Sequence, residues 1–179
     1  MLWFLACTSD PIQDTSTEQL PCWQRTPQVN IGTGEYVWET IEELDPVVMV
    51  HGPQGGWHML GSVQVKNTLP IIEVDFVITE ESSGAQVSSN HYRVAMIMED
   101  ECSGYYPGMY GYLNVAELES GELDTPPELL ADKIVTFDMS INDCTEAQDE
   151  RNECVREDRW SHTQLRVKTQ LDEIDMPQE

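Results

Sequence analysis

Apolar side chains recur at alternate positions along most of this chain, and no stretch holds the i, i+3, i+4, i+7 spacing of a helix face. Between Ile71 and Thr79, Ile72, Val74, Phe76 and Ile78 alternate with Glu73, Asp75, Val77 and Thr79. Between Lys133 and Asn142, Val135, Phe137, Met139 and Ile141 oppose Ile134, Thr136, Asp138 and Ser140. A period of two turns one set toward a core and the other toward water. The same reading predicts strands over Gly34 to Thr40, Pro46 to His51, Trp57 to Lys66, His91 to Met98, Tyr110 to Leu118 and Trp160 to Leu171. Clusters of Gly, Pro, Asn and Asp separate these runs, as turns require. Helix is expected only as a turn near Pro126 to Asp132. The fold class that follows is all-β: an immunoglobulin-like antiparallel β-sandwich of about seven or eight strands, stapled by disulfides.

The pattern also divides the chain. Residues 1–7 are apolar up to a cysteine, and residues 8–28 are polar and turn-rich, as in a tether. Residues 29–171 hold the strands, and 172–179 form an acidic tail expected to fray. No internal repeat interrupts this order, and no apolar run approaches the ~20 residues that cross a bilayer as a helix.

Charge narrows the possible partners. Asp and Glu number 33 against 9 Lys and Arg, a net charge of −24. Such a field repels phosphate backbones and anionic headgroups, so nucleic acid and bare membrane surfaces are disfavoured, while cations and basic partners are attracted. Acidity of this kind also keeps a surface protein soluble without any further role.

The N-terminal Met1-Leu2-Trp3-Phe4-Leu5-Ala6-Cys7 resembles the end of a bacterial lipoprotein signal, in which an apolar stretch meets a small residue and then the cysteine that takes the lipid. The resemblance makes Cys7 the lipid attachment point and the lipid the chain's contact with a membrane. Phe4 stands where such signals usually have Leu, and no basic segment precedes the apolar run, so a start upstream of Met1 is expected. With Cys7 set aside, Cys22, Cys102, Cys144 and Cys154 remain, and none forms a Cys-x-x-Cys pair. Two disulfides are the natural outcome in an oxidising compartment. Of the possible connectivities, Cys144 with Cys154 closes a local loop, and Cys22 with Cys102 then ties the N-terminal segment to the domain.

Three constellations carry candidate chemistry. In His51-Gly52-Pro53-Gln54-Gly55-Gly56-Trp57-His58 the histidines flank a hairpin tip. Cross-strand neighbours lie about 5 Å apart at Cβ, so the two imidazoles could lie across from one another and share zinc or copper, with His91 or an acidic residue completing the site. The alternative is a structural turn. Asn142, Asp143, Glu146, Asp149, Glu150 and Glu153 offer hard oxygens for calcium, although the spacing of a calcium loop is missing and Arg151, Arg156 and Arg159 can neutralise them. Tyr105, Tyr106, Tyr110 and Tyr112, interleaved with Gly and Pro, read as a binding loop or as packing over the end of the domain. Catalytic motifs are missing: there is no nucleophile elbow, zincin helix or phosphate loop, and Ser161 and His162 point to opposite faces of one strand.

Ile31-Gly32-Thr33-Gly34-Glu35, the histidine hairpin and Leu130-Ala131-Asp132-Lys133-Ile134-Val135-Thr136-Phe137 resemble uncharacterised surface lipoproteins of myxobacteria-like bacteria over Val29 to Asp143. The resemblance implies a β-sandwich and an envelope location, and no activity. The expected function is a non-enzymatic exported domain that binds a protein or envelope component. Its location is the outer membrane or cell surface if lipidated, and the periplasm if not. The alternative is a metal-binding protein using His51 and His58, and a weaker third is a hydrolase whose residues converge only in the fold.

Overall fold

A computed structural model describes residues 20–52, 56–114, 129–143 and 157–172. Among them ten strands form one sheet: β1 (Gln28–Thr33), β2 (Glu39–Thr40), β3 (Pro46–His51), β4 (Trp57–Lys66), β5 (Ile71–Glu80), β6 (Gln86–Ala95), β7 (Ile97–Met98), β8 (Ser103–Tyr112), β9 (Ile134–Asn142) and β10 (Trp160–Leu171). The main path runs β2-β1-β4-β3-β10-β9-β5-β6. β3 and β10 pair in parallel, and the other pairs are antiparallel.

β4 organises the curl. Along one edge it pairs first with β3, through Trp57 to Met59, and then with β1, through Ser62 to Lys66. Along the other edge it pairs with β8 from His58 to Lys66. The far end of the path then returns beside β8: the Tyr92 hydroxyl donates to the Tyr110 carbonyl at 2.5 Å, and the Asn114 amide donates to the Val87 carbonyl at 2.7 Å. The sheet therefore wraps around its own core. The all-β reading holds, but the ladder is one continuous curled, mixed sheet, without the division into two sheets that an immunoglobulin-like sandwich requires.

Alternation fills the interior. Ile72, Val74, Phe76 and Ile78 of β5 meet Val135, Phe137, Met139 and Ile141 of β9, all fully buried, with Met49, Met59, Val63 and Met109 from the opposite side. Each such side chain contributes about 1.5–3 kcal/mol relative to leaving it in water. Phe76 and Phe137 pack edge to face at 5.1 Å. The Phe76 ring fits because β4 and β8 present glycine beneath it. A Cβ on Gly61 would lie 2.6 Å from the ring, and one on Gly111 would lie 3.0 Å from the ring and 2.5 Å from Ile78.

Polar staples fix the ends. Cys22 is bonded to Cys102 across 80 residues, as the cysteine reading anticipated. Closing a loop of that length is worth about 4–5 kcal/mol in the chain-entropy model. Arg159 is 2% exposed and all five of its N–H donors are used. Nε reaches Asp143 at 2.8 Å and one terminal nitrogen completes the bidentate pair, while Trp23, Arg25 and Asn67 supply backbone carbonyls. Asp143 also accepts from the Leu69 amide at 3.2 Å. At the β5–β6 turn, buried Glu80 accepts from the amides and hydroxyls of Ser82 and Ser83. Burial alone would raise its pKa, and these four bonds overcome that and hold it at about 2.

Strand boundaries depart from the sequence pattern in three places. The first strand is Gln28–Thr33, and the predicted Gly34-to-Thr40 strand is instead a loop leading into the two residues of β2. Gly34 takes a φ of +103° there, which turns the chain out of the ladder. β6 starts at Gln86, earlier than its apolar alternation suggests, because Ser88 and Asn90 occupy ladder positions opposite Ile78 and Phe76. β8 runs from Ser103, so the tyrosine segment is strand and not loop. Leu129 to Asp132 form a turn ahead of β9, and residues 126–128 of the expected helical turn lie outside the described residues.

Candidate functional site

The register of β3 with β4 decides the histidine hairpin. His51 lies opposite Trp57, and Val50 lies opposite His58. Directly opposed residues share a face, so the imidazoles project to opposite sides of the hairpin. The expected cross-strand pair is corrected accordingly. His51 stacks on Trp57 with ring centroids 4.8 Å apart. The proposed third ligand, His91, is on β6, where Nδ1 meets Asp75 Oδ1 at 2.8 Å. Among the described residues no three His, Cys, Asp or Glu side chains converge as a metal-sized group. In the calcium reading, Asp143 is occupied by Arg159, which supplies its countercharge. Cys7, Cys144, Cys154, Glu146, Asp149, Glu150 and Glu153 lie outside the described residues.

What the hairpin builds instead is an aromatic surface. His58 is 4% exposed, yet it stands on the outer side of β4, opposite Tyr112, with Leu60 opposite Tyr110. Tyr110 meets the His58 ring edge-on at 4.7 Å, and the two tyrosines stack at 5.8 Å. They remain 37% and 60% exposed. In Met109-Tyr110-Gly111-Tyr112 one sequence pattern serves both sides: tyrosine stands outward, and glycine inward leaves the space that Phe76 fills.

A bulge brings a second segment onto this surface. Gly61 pairs with Met109 and Val63 with Tyr106, so β8 carries one extra residue around Pro107 and Gly108. Pro and Gly, which read as a loop in the sequence, mark this bulge. Gly108 has a φ of +69°, and a Cβ there would lie 2.5 Å from the Glu35 carbonyl. Its amide donates to the Gly34 carbonyl at 2.9 Å, and the Ser62 hydroxyl donates to the same carbonyl at 3.0 Å. The Gly34-to-Trp38 loop is thereby pinned over β4 and β8. It carries Tyr36, 77% exposed, and the exposed Val37.

The electrostatics of the surface follow from its neighbours. Burial lowers the His58 pKa, the Glu35 carboxylate opposes that shift, and His51 adds to it. Glu35 also raises the Tyr36 phenol, first by hydrogen bonding and then by charge. Tyr92, which joins β6 to β8, is pushed up to about 12, chiefly by burial. The predicted tyrosine set is split by the bulge. Tyr110 and Tyr112 lie on the surface, Tyr106 packs against the core opposite Val63, and Tyr105 lies farther along β8 opposite Gln64 and Ile97. Trp160 begins β10 opposite Asn142. The sequence reading missed Tyr36, Val37 and Glu35, which it placed in a strand. The signal for their position was the Gly34 and Gly108 pair.

No protein family model matches this chain, and no curated protein matches it.

Proposed function

We propose that the chain is an exported, non-enzymatic domain that binds a protein or envelope component through the outer face of β3, β4 and β8. In this reading a lipid on Cys7 holds it at the outer membrane or cell surface, and without lipid it resides in the periplasm. The observation that carries the binding role is the concentration of outward Tyr36, Tyr110 and Tyr112 on a rigid, disulfide-tied scaffold. Tyrosine gives a large amphipathic contact area with few rotatable bonds, and anchoring it on strands limits the entropy lost on binding. The long-range disulfide supports an oxidising compartment, and the resemblance to envelope lipoproteins points the same way.

Two experiments test the reading. Intact-mass analysis of the native protein should find diacylated Cys7 at the N-terminus, and an unmodified Met1 with reduced Cys22 and Cys102 would refute export. Purified domain should bind isolated envelope fractions, and Tyr36→Ala with Tyr112→Ala should abolish that binding while leaving the unfolding midpoint nearly unchanged. Undiminished envelope binding by this double variant would remove the aromatic face from the account.

A further inference from the structure

The nine Lys and Arg residues are not spread along the chain. They are Arg25, Lys66, Arg93, Lys133, Arg151, Arg156, Arg159, Arg166 and Lys168. The described stretches around the aromatic face, residues 26–52, 56–65 and 94–114, therefore contain no Lys or Arg. The first holds Glu35, Glu39, Glu42, Glu43 and Asp45, and the last holds Glu99, Asp100 and Glu101. Glu35 lies in the loop pinned on Gly108, its carbonyl against that glycine, and its carboxylate raises the Tyr36 phenol and opposes the lowering of His58. Glu39 packs beside Gly34 at the base of the same loop.

From this arrangement we infer that the aromatic face recognises a cationic segment of a partner protein, with arginine or lysine lying across Tyr36, Tyr110 and Tyr112 and its charge met by Glu35. The inference rests on the binding role proposed above and names the chemistry of the partner. A tyrosine face attracts a cation through its ring quadrupole, and a carboxylate beside it completes the site. The guanidinium suits both contacts, since it stacks on rings and forks onto carboxylates. The one lysine of these strands, Lys66, sits at the far end of β4 from Tyr112, so the cation has to come from the partner. An anionic partner would meet both the local carboxylates and the net charge of −24. Tyr36 is carried by the loop pinned at Gly108, two residues ahead of Tyr110 on β8.

The test is fluorescence anisotropy of a dye-labelled peptide of alternating arginine and glycine, titrated with the full chain at about 150 mM salt, where diffuse attraction is screened beyond roughly 8 Å. Matched probes are the same peptide with glutamate for arginine, and a neutral oligomer of N-acetylglucosamine. The arginine peptide should bind and the glutamate peptide should not. Tyr36→Ala combined with Tyr112→Ala should weaken binding by about tenfold, and Glu35→Gln by about threefold. Asp138→Asn, on the outer face of β9, removes the same charge as Glu35→Gln and should change affinity by less than about twofold. Equal losses from Glu35→Gln and Asp138→Asn would overturn the inference, because they would show attraction by the whole field. Absence of peptide binding would also overturn it. If the sugar oligomer then binds and the tyrosine variants abolish that binding, the binding role survives and only the cationic partner fails. If the tyrosine variants also leave envelope binding intact, the role itself fails.

Discussion

The outer side of this sheet has two regions that treat charge in opposite ways. Across β5, β6, β9 and β10, exposed groups are answered from within the chain. His91 meets Asp75 at 2.8 Å, and His162 meets Asp138 at 2.9 Å. Arg166 lies between Glu43 and Glu81 at 3.1 and 3.0 Å, and Lys168 reaches Asp132 at 2.8 Å. Across β3, β4 and β8, the outward residues toward the hairpin end are Val48, Val50, Leu60, Tyr110 and Tyr112, joined by Tyr36 and Val37, and the one Lys or Arg of these strands is Lys66, at the far end of β4. The two regions share one core, so their difference does not come from folding demands. A sheet that packs one face ordinarily solvates the other with polar residues. The first region follows that rule, and the second departs from it over a contiguous aromatic area, which is how surfaces that meet partners are distinguished.

The shared core provides the largest effect by which to break this comparison. Phe76→Ala removes a fully buried ring that packs on Phe137 and lies over Gly61 and Gly111, beneath the tyrosines. Urea unfolding should show a loss of about 3–5 kcal/mol, with both regions melting together. A cost below about 1 kcal/mol, or separate melting of the two regions, would mean that they do not share a core.

Gly108→Val sharpens the aromatic side alone. Both the positive φ and the close Glu35 carbonyl forbid a side chain, so a loss of about 1–3 kcal/mol is expected. Fluorescence should report release of Trp38, whose ring lies over Gly32 at the base of the same loop.

Glu80→Gln acts on the polar side and has a pH signature. The folded carboxyl has a pKa of about 2, below its ordinary value of 4.5. Its stabilisation, about 2–3 kcal/mol, is therefore complete above about pH 4.5, declines as the pH falls, and is gone near pH 2. The difference in stability between wild type and Glu80→Gln should shrink through that window, and a difference independent of pH would contradict the turn-cap account. The smallest effect belongs to Asp138→Asn. Its exposed pair with His162 should be worth less than about 0.5 kcal/mol in a double-mutant cycle, and still less at high salt.

Much of the fold was legible in the sequence, because alternation is a local property. β3, β4 and β10 begin and end where the apolar pattern places them, and the inward and outward sets of β5 and β9 hold residue by residue. The Cys22–Cys102 bond follows in the sequence once Cys144 and Cys154 are assigned to a local loop. What the pattern misplaced depended on register. A shift of one residue across the β3–β4 hairpin separates His51 from His58, and sequence spacing carries no trace of that shift. Pro107 and Gly108 look the same in a bulge as in a turn, so the tyrosine strand read as a loop. Arg159 was legible as a countercharge for the acids that include Asp143, 16 residues away, but its bonds to the Trp23, Arg25 and Asn67 carbonyls join segments distant in the chain and leave no trace in the sequence.

The central claim is that the aromatic region faces the partner and the polar region is internally satisfied. Amide chemical-shift mapping during titration with the arginine peptide, at about 150 mM salt, tests it most directly. The account predicts shifts confined to residues 34–37, 58–60 and 109–112, with β9 and β10 unchanged. Shifts spread over the acidic surface, or centred on Asp75 and Asp138, would contradict it.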